Sequence, residues 1–222
     1  ARSVGRDDLR TAWSRRAASL RRAVHARFFN AADARYVNGF QAYLAMALLV
    51  DLPPRDLRAA VWRRLEREIL VVRTGHIHAG VTGGTFLFQL LMEAQRDDLI
   101  FARVNRDDPP SWGAMLRRGA TTFWESWEET ADSHLHSSFL YVGAWFLHGV
   151  LGIQPDPDVP GFKRFVIRPG VTDHPSLTWA RGHYDSIRGR IAVSWRREGG
   201  VFHLEAHVPP NAEARLELPA KR

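Results

Sequence analysis

Apolar residues recur every three or four positions through the first two-thirds of the chain, which is the spacing of amphipathic helices. The clearest apolar stripe is formed by Leu9, Trp13, Ala17, Leu20, Val24 and Phe28. The same spacing predicts further helices at about 40–48, 57–69, 82–94, 100–104 and 112–118. Segment 139–150 is apolar on nearly every side, so we expect it to form a fully buried helix.

The pattern changes near Pro155, where residues 155–161 form a segment rich in Pro, Asp and Gly that is typical of a linker. Beyond it, apolar and polar residues alternate with a period of two, most clearly over 202–208. Short strands are predicted at 165–167, 177–184, 189–195 and 202–208. We therefore expect a helical domain over residues 1–154 and a small antiparallel β-sandwich over residues 155–222.

Composition is that of a globular protein, since 45% of the 222 residues are hydrophobic and eight are Trp. No apolar run reaches the roughly 18 residues that a membrane span needs. The absence of Cys excludes disulfides, Cys-ligated zinc and thiol nucleophiles. The net charge of +7 comes from Arg residues dispersed among acidic ones, so we expect a solvated surface and no nucleic-acid partner. Composition leaves the cellular compartment open.

Residues 119–128 carry the strongest chemical signal, because Glu125 lies between Trp124 and Trp127. Aromatic faces pack against sugar rings, and a carboxylate among aromatic side chains has the desolvated setting that tunes acid–base chemistry. Two plainer interpretations stay open. The Trp side chains could belong to the core, and Glu125 could lie with Glu128 on a solvated helix edge.

Histidines offer a second candidate site, since His76, His78, His134 and His136 could be imagined as metal ligands. No carboxylate-bearing metal motif accompanies them, so we expect no metal, and hydrogen bonding in loops is favoured.

A third candidate is the face shared by Trp179, Arg181 and His183 on a predicted strand. This face could bind sugar, although packing against the helical domain is favoured.

Six sequence blocks, in order, resemble glycoside hydrolase family 78, the bacterial α-L-rhamnosidases. The most specific is Gly-Ala-Thr-Thr-Phe-Trp-Glu-Ser-Trp-Glu at 119–128, which is similar to the family's Gly-Ala-Thr-Thr-aromatic-Trp-Glu motif. The other blocks lie at 39–45, 75–84, 141–146 (preceded by His136), 155–169 and 177–191.

This resemblance implies a mainly helical fold, in which part of an (α/α)6 barrel of the six-hairpin glycosidase type precedes the β-sandwich. It also implies inverting hydrolysis that releases L-rhamnose from glycosides or polysaccharides, without a cofactor. Two carboxyl groups, roughly 6.5–9.5 Å apart, would flank the glycosidic bond and a water. Glu125 falls on the general base and His136 on a His of the sugar site. Trp124 and Trp127 are expected at the pocket walls, and His78 in a barrel loop near the sugar.

The chain also departs from the family pattern. The loop before His136 is shorter than in many members, and Leu135 stands where an Asn is usual. The family's general acid lies upstream of the region that begins at Ala1. We therefore expect the chain alone to be an incomplete catalyst, whose partner is the N-terminal remainder of the same polypeptide. Two alternatives stay open: another (α/α)6 glycosidase acting on glucosides, fucosides or uronides, and a non-catalytic carbohydrate-binding fragment.

Overall fold

A computed structural model describes residues 5–130, 132–170 and 174–218 of the chain. The chain divides into two compact units, residues 1–90 and residues 91–222. This division reflects compactness alone, and the predicted domain boundary between residues 154 and 155 stays a prediction.

The first unit is built from helices and one short hairpin. Its elements are α1 (Asp7–Phe28), β1 (Phe29–Asn30), β2 (Arg35–Tyr36), α2 (Gln41–Leu49), α3 (Arg55–Arg67), a π-helical turn (Glu68–Val72) and α4 (Gly80–Glu93), whose last turn enters the second unit. Helix α2 ends before Pro53, as the sequence predicts. The core of these helices includes Leu44 and Leu48 of α2 and Val61 and Leu65 of α3, which are fully buried. The apolar positions that predicted the two helices therefore form this core.

Helix α1 differs from its neighbours because none of its residues is buried. Its predicted apolar stripe exists, but Trp13 is 59% exposed and Leu20 is 56% exposed. The helix therefore presents an apolar surface that the described residues leave uncovered.

The second unit begins with helices and continues into two sheets. The helices are α5 (Asp97–Val104), α6 (Trp112–Arg117) and α7 (Tyr141–Trp145), which continues as a π-helical segment (Phe146–Val150). The prediction of a fully buried helix over 139–150 is wrong in part. Val142 and Trp145 are buried, whereas Leu140 and Phe146 are about half exposed. The cause is geometric: Val142, Trp145 and Gly149 are spaced three and four residues apart and form one buried stripe, and Leu140 and Phe146 lie outside that stripe.

Six strands form two three-stranded sheets. The strands are β3 (Ile153–Pro155), β4 (Arg164–Ile167), β5 (Trp179–Ser186), β6 (Gly189–Glu198), β7 (Val201–His207) and β8 (Glu213–Leu216). One sheet has the order β3-β4-β8 and the other β5-β6-β7. All neighbouring strands in these sheets pair antiparallel except β4 and β8, which pair parallel. The alternation of apolar and polar residues did not predict this parallel pair. The buried face of β6 consists of Ile191, Val193 and Trp195.

Buried polar contacts join two helices of the second unit to each other and its π-helical segment to a sheet. The Trp145 indole N–H donates to the Asp97 carboxylate at 2.8 Å, and the Trp195 indole N–H donates to the Val150 carbonyl at 2.8 Å. Burial raises the pKa of Asp97 above the ordinary value of an aspartate, against the opposing effect of the Trp145 hydrogen bond. Gly170 lies so close to this carboxylate that a side chain there would collide with it.

Within the part of the chain that the structure describes, every helix is too short or too polar to cross a bilayer.

Candidate functional site

The loop that carries Glu125 is fixed by backbone hydrogen bonds to a neighbouring segment. The Glu125 N–H donates to the Ser133 carbonyl at 2.9 Å, and the His136 N–H donates to the Phe123 carbonyl at 2.8 Å. The Thr122 hydroxyl also donates to a carbonyl of this neighbouring segment. Two predicted site residues, Glu125 and His136, therefore lie on adjoining segments of one loop.

Trp124 anchors this loop. Its side chain is 3% exposed and stacks on the His134 ring, with the ring centroids 4.7 Å apart. The next side chain, Glu125, is exposed. A buried ring followed by an exposed carboxylate fixes the backbone while leaving the carboxylate accessible to a ligand.

His136 has a defined tautomer when it is neutral. The backbone N–H of Ser138 donates to the His136 Nδ1 at 3.1 Å, and the Ser138 hydroxyl lies against the same nitrogen. Because Nδ1 accepts, the proton of the neutral ring resides on Nε2. The exposed His136 ring can therefore donate a hydrogen bond from Nε2 to a hydroxyl of a bound molecule.

Trp127 lies in an aromatic cluster. It is half-buried, stacks on Phe139 with ring centroids 3.8 Å apart, and meets the Trp112 ring edge-on at 5.3 Å. Trp112 in turn contacts the Tyr141 ring at 5.8 Å. Aromatic neighbours thus cover part of the Trp127 side chain. Its role as a pocket wall, like that of Trp124, stays a prediction.

His78 belongs to the first unit, whereas the other four predicted site residues belong to the second. Its N–H donates to Gln41 Oε1 at 3.1 Å, and Gln41 Nε2 donates to the His76 carbonyl at 2.9 Å. The His78 ring also meets the Phe40 ring edge-on at 4.6 Å. Partial burial and the charge of Arg73 lower the pKa of His78, which favours the neutral ring.

The described residues contain no group of three or more His, Asp or Glu side chains that could hold a metal ion. Hydrogen bonds are made by the His76 carbonyl, the His134 ring and the His136 ring.

Two residues that hold candidate site residues were given no role from the sequence. Gln41 is fully buried although it lies in an apolar helix, and a polar residue in such a run is a signal of a specific hydrogen-bonding role. Ser138, 1% exposed, orients His136. Its spacing of two residues from a His carries no comparable signal.

Two family models match the chain, one on each side of residue 151. Residues 1–150 match the bacterial alpha-L-rhamnosidase 6 hairpin glycosidase domain. Residues 152–222 match the bacterial alpha-L-rhamnosidase C-terminal domain.

Curated relatives give the same result. The chain is 31% identical over 216 residues to an alpha-L-rhamnosidase of Alteromonas sp. (strain LOR), covering 91% of this chain and 23% of that protein. It is 28% identical over 200 residues to an alpha-L-rhamnosidase of Streptomyces avermitilis, covering 86% of this chain and 19% of that protein.

Solved structures agree with this result. A Streptomyces avermitilis alpha-L-rhamnosidase complexed with L-rhamnose is 27% identical with a TM-score of 0.79, covering 91% of this chain and 20% of that one. The alpha-L-rhamnosidase from Dictyoglumus thermophilum is 26% identical with a TM-score of 0.86, covering 97% of this chain and 24% of that one.

The chain spans about a fifth to a quarter of the length of these relatives. The predicted fold class, part of a six-hairpin glycosidase domain followed by a β domain, is confirmed. From its ordered motifs, its fold and both family matches, the chain belongs to the bacterial α-L-rhamnosidases.

Proposed function

We propose that this chain is the C-terminal part of an inverting glycoside hydrolase that releases terminal α-L-rhamnose, with Glu125 as the general base. The observation that carries the proposal is the exposed Glu125 carboxylate on a loop anchored by buried Trp124 and hydrogen-bonded to the segment of His136. The relative from Streptomyces avermitilis, whose structure holds L-rhamnose, supports the choice of sugar.

The chemistry requires two carboxyl groups on opposite sides of the glycosidic bond. Glu125 would accept a proton from the water that attacks the anomeric carbon, while a second carboxyl group protonates the leaving oxygen. We place this general acid in the remainder of the parent polypeptide, before residue 1. His136 would donate from Nε2 to a sugar hydroxyl, and Trp124, Trp127 and His78 would complete the surroundings of the sugar.

Glu125 is favoured over Glu128 because their backbones are held differently. Glu125 follows a buried ring and its N–H bonds to a separate segment, at Ser133. Among the described residues, the Glu128 N–H bonds only to the Ser126 side chain within the same exposed turn. A catalytic base must be held within hydrogen-bond reach of the attacking water, which a fixed backbone allows.

The uncovered apolar stripe of α1 supports a larger parent. We propose that the preceding part of the polypeptide packs on Trp13 and Leu20, because completing the barrel would bury this stripe. We likewise place the boundary between the two domains at residues 154 and 155.

The test measures hydrolysis of a chromogenic α-L-rhamnoside by the full-length parent and by its Glu125→Gln variant. Gln preserves the shape but accepts no proton, so kcat should fall by about 10²–10⁴-fold. The matched control is Glu128→Gln, which should stay within about threefold of the parent, as expected for a group that does not contact the reacting atoms. NMR of the first product should show the inverted anomer.

Equal activity of the parent and its Glu125→Gln variant would refute the assignment of the base. The isolated 222-residue chain should show no turnover, because it lacks the acid. Appreciable turnover by the chain would show that it contains a complete catalytic pair.

A further inference from the structure

The outer face of the β5-β6-β7 sheet is polar and contains a groove. Side chains alternate across a strand, and directly opposite residues of neighbouring strands share a face. The register pairs Arg181 with Ser194 and Ser194 with Glu205, and it pairs His183 with Ala192 and Ala192 with His207. These six residues therefore lie on one face, in two rows that cross all three strands.

The size of the side chains explains the groove. Central strand β6 contributes the short Ala192 and Ser194, whereas β5 contributes Arg181 and His183, and β7 contributes Glu205 and His207. The short residues form a floor between two long walls, about two strand spacings or roughly 9–10 Å apart. The groove has a volume of about 400 Å³, within the range of roughly 300–1,000 Å³ that is common for small-ligand sites.

The polar groups of the groove are available to a ligand. Arg181 and Glu205 are exposed, and neither makes a side-chain hydrogen bond or an ion pair with the described residues. Two other arginines of this face are already paired, Arg190 with Asp185 at 2.7 Å and Arg196 with Glu198 at 3.5 Å. The groove thus offers one unpaired cation opposite one unpaired anion.

This combination favours a neutral ligand that both donates and accepts hydrogen bonds. A guanidinium donates and a carboxylate accepts, and each sugar hydroxyl can do either. Glu205 would repel a phosphate or a nucleic-acid backbone, which disfavours a purely anionic ligand. The chemical class that fits is a neutral saccharide.

Trp179 supplies the apolar component. It precedes Arg181 by two positions on β5, so it lies on the same face, and its side chain is 66% exposed. An indole ring with so much free surface beside polar groups can stack on the C–H face of a sugar ring.

From these features we propose that the outer face of the β5-β6-β7 sheet, defined by Trp179, Arg181, Ser194, Glu205 and His207, binds neutral saccharide at a site separate from Glu125. Trp179 stacks on one sugar ring, while Arg181 and Glu205 hydrogen-bond hydroxyls of the sugar in the groove. The site holds a saccharide chain without acting on it, so it does not depend on the proposed catalytic role of Glu125.

The experiment titrates the ¹⁵N-labelled 222-residue chain with two neutral probes, methyl α-L-rhamnoside and the disaccharide rutinose, by NMR. Saturable shifts are expected at the Trp179 indole N–H and at the amides of Ser194 and Glu205. Trp179→Ala and Arg181→Met should each weaken affinity by tenfold or more. Glu125→Gln should leave binding at the sheet unchanged, which separates this site from the catalytic one.

Matched controls remove similar groups elsewhere on the surface. Ile187→Ala removes an exposed apolar side chain from the β5–β6 turn, and Arg215→Met removes an exposed arginine from β8. Both should bind like the unaltered chain, and circular dichroism checks that every variant is folded. The proposal is overturned if neither probe gives saturable shifts at the sheet, or if the groove variants bind as well as the controls. Tighter, salt-sensitive binding of oligogalacturonate would overturn the neutral class.

Discussion

The buried amide of Gln41 is the contact whose removal should be most informative about the first unit. It joins α2 to the loop of His78 through two hydrogen bonds, 2.9 Å to the His76 carbonyl and 3.1 Å from the His78 N–H. Gln41→Met keeps a side chain of similar length but removes both bonds. Each such bond contributes about 0.5–1.5 kcal/mol, so the free energy of unfolding should fall by about 1–3 kcal/mol.

Thermal unfolding followed by circular dichroism measures this change. A loss of 1 kcal/mol lowers the midpoint by about 4–8 °C in a unit of 60–100 residues, and by about 2–4 °C in 150–250 residues. If the two units unfold separately, only the transition of the first unit should move, because Gln41 and both of its partners belong to that unit.

Tyr43→Phe is the matched control, since it removes a polar group from the exposed side of the same helix. Its effect should stay within about 0.5 kcal/mol. A midpoint for Gln41→Met within about 1 °C of the unaltered chain would refute the reasoning, because water would then replace both bonds without cost.

Three further predictions concern burial, backbone conformation and the uncovered helix. Since burial raises the pKa of Asp97, its carboxylate is costly when charged. The unaltered chain should therefore gain stability relative to Asp97→Asn as pH falls from neutrality toward about 4, and pH-independent relative stability in urea titrations would contradict this. Gly152→Ala should cost about 3 kcal/mol or more in thermal unfolding, because Gly152 has φ +79° and a Cβ there would lie 2.2 Å from a backbone carbon. Gly199, with φ +57° and open space around it, is the control, and its Ala variant should lose only about 1–2 kcal/mol. Trp13→Glu should destabilise the full-length parent by about 3–5 kcal/mol while leaving the midpoint of the 222-residue chain unchanged; equal midpoints for parent and variant would show that α1 stays uncovered.

The sequence by itself determined the elements and the family. Periodicity of apolar residues is imposed by helix and strand geometry, so it located α1 to α6 and the strands β4 to β7 within a few residues of their observed bounds. Six blocks in order were specific enough to identify the family, because chance rarely produces such an order, and the block at 119–128 singled out Glu125.

Only the tertiary structure decided which contacts those residues make. Periodicity does not report hydrogen-bond partners, so it could not predict that Gln41 holds the loop of His78, or that Ser138 sets the tautomer of His136. Nor could it predict the parallel pairing of β4 with β8, since register depends on the whole sheet. The groove beside Trp179 likewise exists only because three strands align their short and long side chains, a relation between segments that no local pattern contains.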